Sequence, residues 1–180
     1  MIKKSLALLF FSLFTSVLFF AQQTSVSPLP RGYSDVQLGL TVDETKDLLK
    51  KNLIFGFRGD RDVSLLPTQE RVLIETSGSS FFSRCWFQFY DDKLYAITLN
   101  VNTKRMDYYS MFTRFCEKYG KPSTLNPSKA EWVDDGIILS LEKPLTVKYI
   151  DSKIYNDLID SGEKLKSSES VLREEFLNTF

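Results

Sequence analysis

Two pairs of adjacent aspartates are the residues of this sequence best suited to acid-base or metal chemistry. They are Asp91-Asp92 and Asp134-Asp135. Paired carboxylates serve hydrolytic enzymes and hold divalent cations. Both pairs fall at predicted turns, however, where aspartate is favoured because it bonds to its own backbone. Nothing in the surrounding sequence indicates the burial or close like charge that would shift a catalytic pKa. We interpret both pairs as turn residues and predict no catalytic residue and no metal site.

Histidine is absent from the 180 residues, and cysteine occurs twice. Catalysis that relies on an imidazole is therefore excluded, as is every metal site with a histidine ligand. Two cysteines alone do not complete a zinc or iron-sulfur site. We predict a protein that is not an enzyme and has no cofactor. An enzyme that uses only carboxylates and tyrosine is the catalytic alternative.

The two cysteines, Cys85 and Cys116, could form a disulfide, which is the default in an exported chain. A predicted helix carries Cys116 about 15 Å away from the end of the strand that holds Cys85. A bridge needs Cα atoms within about 7 Å of each other. Two buried free thiols are therefore favoured, with the disulfide as the alternative.

The charge balance argues against a nucleic-acid partner. Lysine and arginine total 23, as do aspartate and glutamate, whereas a nucleic-acid binder carries a basic excess on one face. With 43% hydrophobic residues, the chain has the composition of one globular domain.

The first 21 residues have the plan of a signal peptide. Lys3 and Lys4 precede an uncharged apolar run over residues 5–20, and Ala21 offers a cleavage site. Cleavage would leave 21 basic against 23 acidic residues, a net charge of −2. We expect an exported protein, periplasmic in the first instance, with secretion or envelope association as alternatives. An uncleaved membrane anchor is the alternative for the leader itself; after cleavage we expect no membrane span.

Two helices are predicted from caps and apolar spacing. Thr41 and Glu44 have the spacing of a capping box, so the first helix begins after Thr41. The second helix covers about residues 106–119 and ends at Gly120. Its aromatic residues recur every three or four positions: Tyr108, Phe112, Phe115 and Tyr119.

Two β-hairpins are predicted from alternating apolar residues. Since a slip of one residue turns every side chain to the other face, we expect a three-residue loop at 91–93, with a five-residue loop as the alternative, and a three-residue loop at 142–144. The expected opposite pairs are Phe87 with Ile97, Cys85 with Leu99, Phe89 with Tyr95, Leu139 with Val147 and Leu141 with Leu145. A two-residue Asp-Asp turn would break this match.

These elements predict an α+β fold. An antiparallel sheet is built from two units, each a helix plus a β-hairpin, with the helices packed on one face and C-terminal helices after them. The expected organisation is a signal peptide at 1–21, an extended lead-in at 22–37, one domain of two tandem units at 38–162 and a C-terminal helix at 163–180.

Side chains predicted to point away from the covering helices mix large aromatics with small polar groups. Such a mixture is typical of an interface core. The candidate binding residues are Trp86, Gln88, Tyr90, Asn100, Trp132 and Ile138. The alternative is that the C-terminal helices fold over this surface and bury it.

Two motifs resemble small exported modules of known families. Residues 39–44 read Gly-Leu-Thr-Val-Asp-Glu at the start of a helix, and Gly120-Lys121-Pro122 ends the next helix ahead of Trp132. Over residues 39–150 this is similar to the outer-membrane assembly lipoprotein BamE and to the β-lactamase inhibitor protein. The chain departs from BamE in lacking a lipidated cysteine and in carrying its Gly-x-Pro after the second helix. The resemblance implies a module that binds proteins and catalyses nothing.

We therefore predict a non-enzymatic, exported interaction module of the bacterial cell envelope, which binds an envelope or secreted protein through the aromatic sheet face. The alternative is a carrier of an apolar or lipid-like ligand held beneath the C-terminal helices.

Overall fold

Short alternating apolar runs, separated by turn residues, give this chain many strands. The structure is a computed structural model that describes residues 27–65, 71–160 and 176–178. In chain order the elements are β1 (Gly32–Tyr33), β2 (Val36–Gln37), α1 (Val42–Lys51), β3 (Val63–Leu65), β4 (Arg71–Thr76), β5 (Phe82–Tyr90), β6 (Lys93–Val101), α2 (Tyr108–Tyr119), β7 (Thr124–Leu125), β8 (Lys129–Asp134), β9 (Ile137–Glu142), β10 (Thr146–Asp151) and α3 (Ser152–Asp160). The predicted leader at 1–21 lies outside the described residues, as does the predicted helix at 163–180 apart from residues 176–178.

A single eight-stranded antiparallel sheet runs through the molecule, in the order β3-β4-β5-β6-β10-β9-β8-β7. Its centre is the pair β6 and β10, which α2 and three strands separate along the chain. Strands β1 and β2 form a separate small hairpin, so the described end of the predicted lead-in is not extended throughout. The prediction of an α+β fold is confirmed.

The two longer helices pack on one face of the sheet, here called the helix face. Phe87, Ile97, Leu139 and Val147 are buried there in a cluster that includes Leu49 of α1 and contacts α2. Helix α3 packs on the opposite face, where Leu158 is buried with Tyr95 and Ala96. The expectation that helices cover one face therefore holds for α1 and α2, whereas α3 lies over part of the opposite face, which is the alternative given above for the C-terminal helices.

The predicted caps are present. The Glu44 amide donates to Thr41 Oγ1 at 3.2 Å, and the Thr41 amide donates to Glu44 Oε2 at 2.9 Å, which completes the capping box of α1. Helix α2 begins two residues later than predicted, because Asp107 is its N-cap and accepts from the Ser110 amide at 2.9 Å. Gly120 ends α2 with φ 77°.

The turn of the β5–β6 hairpin is one residue shorter than the predicted loop. Tyr90 pairs with Lys93, so the turn contains only Asp91 and Asp92, whose φ angles of 47° and 54° are those a tight two-residue turn requires. Phe89 pairs with Leu94 rather than Tyr95, because a bulge at Tyr95 supplies the residue that the shorter turn lacks.

Beyond that bulge the predicted register is confirmed. Phe87 lies opposite Ile97, and Cys85 lies opposite Leu99. Tyr95 itself turns to the face that carries α3, where burial raises its pKa to about 12.

The β9–β10 hairpin keeps the predicted faces but not the predicted partners. Leu141 pairs with Val147 instead of Leu145, and Leu139 pairs with Tyr149 instead of Val147. The shift is two residues, because Glu142 stays in the strand opposite Thr146 and the loop is 143–145. A shift of two leaves each side chain on its original face.

Trp132 of β8 joins α2 to the sheet. Its ring lies 6.2 Å from Phe112 and 5.6 Å from Phe115, measured between ring centroids. Its indole Nε1 donates to the Gly120 carbonyl at 2.8 Å, which satisfies a free acceptor at the end of α2. Trp132 is therefore a core residue of the helix face.

We expect Thr41→Ala to lower the free energy of unfolding by about 1 kcal/mol, because α1 loses its N-cap. The hydrogen bonds from Thr41 lower the pKa of Glu44, so the stabilisation by Glu44 is present above its ordinary pKa of 4.5 and is lost as pH falls through the lower folded value. Urea unfolding of the wild type and of Thr41→Ala should show that the difference between their free energies of unfolding becomes smaller in acid. For the control Thr103→Ala, at an exposed position, the difference from the wild type in free energy of unfolding should not depend on pH. If the difference between the wild type and Thr41→Ala is also the same at every pH, this account is contradicted.

We expect Trp132→Ala to lower the free energy of unfolding by about 3–5 kcal/mol, because it leaves a cavity between α2 and the sheet. The neighbouring Val133 is 53% exposed, so Val133→Ala should cost less than about 1 kcal/mol. Urea unfolding measures both. If the two variants lower the free energy of unfolding by similar amounts, Trp132 does not hold α2 against the sheet.

Candidate functional site

The candidate site lies on the face opposite α1 and α2, here called the outer face. Pairing across β5, β6, β10 and β9 sets its side chains in rows. One row contains Trp86, Thr98, Lys148 and Ser140; its neighbours contain Asn100, Thr146 and Glu142 on one side and Gln88, Ala96, Ile150 and Ile138 on the other. The outer face thus takes residues from four strands at the centre of the sheet.

Helix α3 covers one end of the outer face. The Asp151 carboxylate accepts from the amides of Lys153 and Ile154, both at 3.1 Å, so the helix begins directly after β10. Ile154 and Leu158 then contact the apolar residues at that end of the face, which are Tyr90, Tyr95, Ala96 and Ile150.

Beside α3 a groove follows the centre of the sheet, and we call it the outer groove. It consists of two adjoining cavities of about 370 and 150 Å³ that share Thr98, Glu142 and Lys148. Trp86, Asn100 and Thr146 line the larger cavity. Gln88, Lys129, Glu131 and Tyr155 line the smaller one.

Four of the five charged side chains that line the outer groove are paired, and the fifth, Lys143, makes no ion pair within the described residues. Lys148 Nζ lies 2.7 Å from Glu142 Oε2 on the neighbouring strand, and Lys129 Nζ lies 2.7 Å from Glu131 Oε1. The hydrogen bond to Glu131 raises the pKa of Lys129, which keeps its ammonium protonated. The groove therefore offers polar contacts without a net charge from these pairs.

Neutral hydrogen-bonding groups accompany these pairs. Thr146 Oγ1 donates to Asn100 Oδ1 at 2.8 Å, and Ser140 Oγ donates to Glu142 Oε1 at 3.2 Å. An asparagine amide carries two donors as well as its oxygen, so Asn100 retains donor capacity beyond this contact with Thr146. The lining thus combines donors and acceptors at Asn100, Thr146 and Glu142, and Ser140, which lines neither cavity, donates to the Glu142 carboxylate.

Trp86 is the aromatic residue of the larger cavity. It is 2% exposed, and its indole Nε1 has no hydrogen-bond acceptor within the described chain. An unpaired buried donor costs about 1–3 kcal/mol. The Arg84 guanidinium lies 5.9 Å from the ring centroid, so one side of the indole also contacts a cation.

Five of the six predicted binding residues share the outer face. Trp86 and Asn100 line the larger cavity and Gln88 the smaller one, while Tyr90 contacts the cluster beneath α3 and Ile138 is half-buried. Trp132 does not belong with them, because it is buried on the helix face. Since Trp86 and Gln88 are buried as well, they do not form an open aromatic surface.

Sequence reasoning missed Glu142, Thr146 and Tyr155 as groove residues. The predicted loop at 142–144 includes Glu142, so the sequence does not predict its ion pair with Lys148. The signal available was the alternation of Glu142 with Leu141 and Leu139, which extends the strand by one residue.

Asp92 and the two cysteines have no catalytic geometry in the described residues. Asp92 Oδ1 accepts from the Val42 amide at 3.1 Å, so this turn aspartate also caps α1. Cys85 and Cys116 are free thiols. Burial raises the pKa of Cys85 to about 12 and also raises the pKa of Cys116, so both are poor nucleophiles.

Two further properties concern metals and membranes. In the ranges 27–65, 71–160 and 176–178, no three metal-ligating side chains lie together. No helix in the described chain is long and apolar enough to cross a membrane.

Comparison with known proteins gives one match. No curated protein and no solved structure matches the chain, so the resemblance to BamE and the β-lactamase inhibitor protein gains no support there. The family model of the TP0088 domain matches residues 31–161, which include the whole eight-stranded sheet together with α1, α2 and α3. The match covers well over half of the 180 residues, and the chain therefore belongs to the TP0088 domain family.

Proposed function

We propose that this chain is a non-enzymatic interaction module of the bacterial cell envelope and that it binds a segment of a partner protein in the outer groove. The observation that carries the proposal is the buried indole N–H of Trp86, which lines the groove and has no acceptor within the described residues. The N–H is itself buried, so a partner satisfies this donor with a backbone carbonyl only when its binding shifts the side chains around Trp86, and it then recovers the free energy that the burial costs.

The composition of the groove fits a polypeptide. Aromatic residues next to paired charges and small polar groups are typical of the centre of protein interfaces, and tryptophan is prominent among residues that dominate binding. With Lys148–Glu142 and Lys129–Glu131 paired, Lys143 is the one unpaired charge among the described lining residues. A single positive charge fits a polypeptide segment better than a nucleic acid.

A carrier of an apolar ligand is the second candidate, and the position of α3 over one end of the outer face favours it. The lining opposes it. An apolar molecule in the groove would remove water from the Lys148–Glu142 pair and from Asn100 without replacing the lost hydrogen bonds. The protein-binding function therefore has the stronger support.

We further propose that the domain consists of two tandem units, α1 with β3–β6 and α2 with β7–β10. The strand order supports this, because it reads β6, β5, β4, β3 outward on one side of the centre and β10, β9, β8, β7 on the other. The outer groove then lies at the junction of the two units, with β6 from one and β10 from the other in its floor.

Export is part of the proposal, and the mature chain begins at Gln22. Intact-mass measurement of the protein from the envelope fraction of its source cells should give the mass of residues 22–180. A mass that includes residues 1–21 in that fraction would favour the uncleaved anchor, and recovery only from the cytoplasm would rule out export.

A photocrosslinking amino acid at Asn100, inside the groove, should trap one partner protein in intact cells. The matched control is the same amino acid at Asn156, which is exposed on α3 and lines neither cavity. Adding Thr146→Trp, which fills the larger cavity, should abolish the crosslink from position 100. Circular dichroism checks that each variant folds.

Equal crosslinking from positions 100 and 156 would contradict a specific groove. If no protein is trapped and lipid is extracted from the purified chain in a fixed ratio, the carrier function replaces this proposal.

A further inference from the structure

A further cavity, of about 480 Å³, opens on the other side of the sheet from the outer groove. It lies between the β1–β2 hairpin, the C-terminal half of α2 and β10. Its lining contains Tyr33, Tyr119 and Tyr149 together with Arg31, Arg114 and Lys118. We call it the tyrosine cavity; its volume is that of a small-molecule site.

Backbone contacts hold the walls of this cavity in place. The Ser27 amide donates to the Lys118 carbonyl at 2.9 Å, which fixes the N-terminal segment against α2. The Leu38 amide donates to the Arg31 carbonyl at 2.8 Å, which closes the β1–β2 hairpin. The Tyr33 ring packs edge-on against Phe82, with centroids 5.1 Å apart. The cavity is therefore bounded by ordered chain on each of these sides.

The lining is cationic. Three basic side chains line the tyrosine cavity, and no carboxylate is among the described residues that do so. Arg31 and Arg114 have partners in Asp151 at 3.6 Å and Glu117 at 3.2 Å.

Lys118 is different from the two arginines. No carboxylate lies within ion-pair distance of it in the described chain, and its Nζ lies 5.2 Å from the centroid of the Tyr119 ring. The cavity therefore has a cation whose charge is not neutralised by any acidic side chain of the described residues.

Tyr149 supplies a second, independent observation. It is 6% exposed and lines the cavity, and no hydrogen bond to its hydroxyl is present among the described residues. Burial, and then the nearby Tyr119 and Tyr33, raise the pKa of Tyr149, so its hydroxyl is a neutral donor at physiological pH. The ring is buried, but the hydroxyl oxygen is not one of the fully buried unpartnered atoms of the described residues, so it is open to a ligand or water that lines up with it.

We propose that the tyrosine cavity binds a small ligand with a carboxylate or phosphate group on a flat aromatic body. The anion lies between the Lys118 ammonium and the Tyr149 hydroxyl, and the tyrosine and Phe115 rings contact the flat body. This site is separate from the outer groove and does not depend on the function proposed for that groove.

The test uses phenyl phosphate and benzoate as probes and uncharged benzyl alcohol as their neutral analogue, in ligand-observed NMR titrations of the folded protein. At least one anion should bind saturably, and benzyl alcohol should bind about tenfold more weakly or not at all. Binding of only one anion identifies the preferred group.

Two variants test the proposed contacts. Lys118→Met and Tyr149→Phe should each weaken binding of the anion about tenfold, because each removes a charged or charge-assisted contact. Tyr149→Phe removes no hydrogen bond made within the described chain, so it should leave the unfolding transition nearly unchanged.

The matched controls are Lys50→Met on α1 and Tyr109→Phe on α2. Tyr109 is 76% exposed, and neither residue lines the cavity. Both control variants should therefore bind the anion with the affinity of the wild type. The proposal is overturned if neither anion binds saturably below about 10 mM, or if all four variants bind equally.

Discussion

The pairing of β6 with β10 is the constraint on which the rest of this structure depends. It joins strands that are separated by α2 and three further strands along the chain, so an eight-stranded sheet forms instead of two small ones. Four-stranded sheets with one apolar face are less able to bury their cores alone. Because Ile97 pairs with Tyr149 and Leu99 with Val147, the pairing also merges the apolar residues beneath α1 and α2 into one cluster.

The same pairing determines where binding can occur. Successive side chains of a strand point to opposite faces, so Lys148 of β10 lies in the outer groove while its neighbour Tyr149 lies in the tyrosine cavity. The outer groove and the tyrosine cavity are therefore on opposite faces of one strand. A different helix contributes to the lining of each: Tyr155 of α3 lines the smaller cavity of the outer groove, and the C-terminal half of α2 lines the tyrosine cavity.

The sequence predicts the features that depend on local chemistry. The capping box at Thr41, the helix end at Gly120 and the facing of Phe87 with Ile97 all follow from residues close together in the chain or from parity. Because side chains alternate between the two faces, a register error of two residues does not change the face. The sequence therefore predicts the correct face for Leu141 but the wrong partner across the hairpin. The turn at Asp91-Asp92 could not be found this way, since the bulge at Tyr95 compensates for its shortness.

The position of α3 and the tyrosine cavity depend on distant residues. Tyr33, Tyr119 and Tyr149 meet only after the sheet and α2 have formed, so no spacing in the sequence indicates them. A signal for α3 did exist. Both faces of β5 and β6 carry large or apolar side chains, such as Trp86, Ala96 and Tyr90, and strands covered on both faces lack a clean alternation of apolar and polar residues.

The length of α3 explains why the outer groove is polar. Nine residues of helix extend about 13 Å, whereas eight strands spaced about 4.8 Å apart span roughly 34 Å. Helix α3 therefore covers only part of the outer face, and its contacts fall on Ala96 and Ile150. Two residues further along the same strands, Thr98 and Lys148 are polar and line the groove. The change from apolar to polar side chains along β6 and β10 thus marks where the cover by α3 ends.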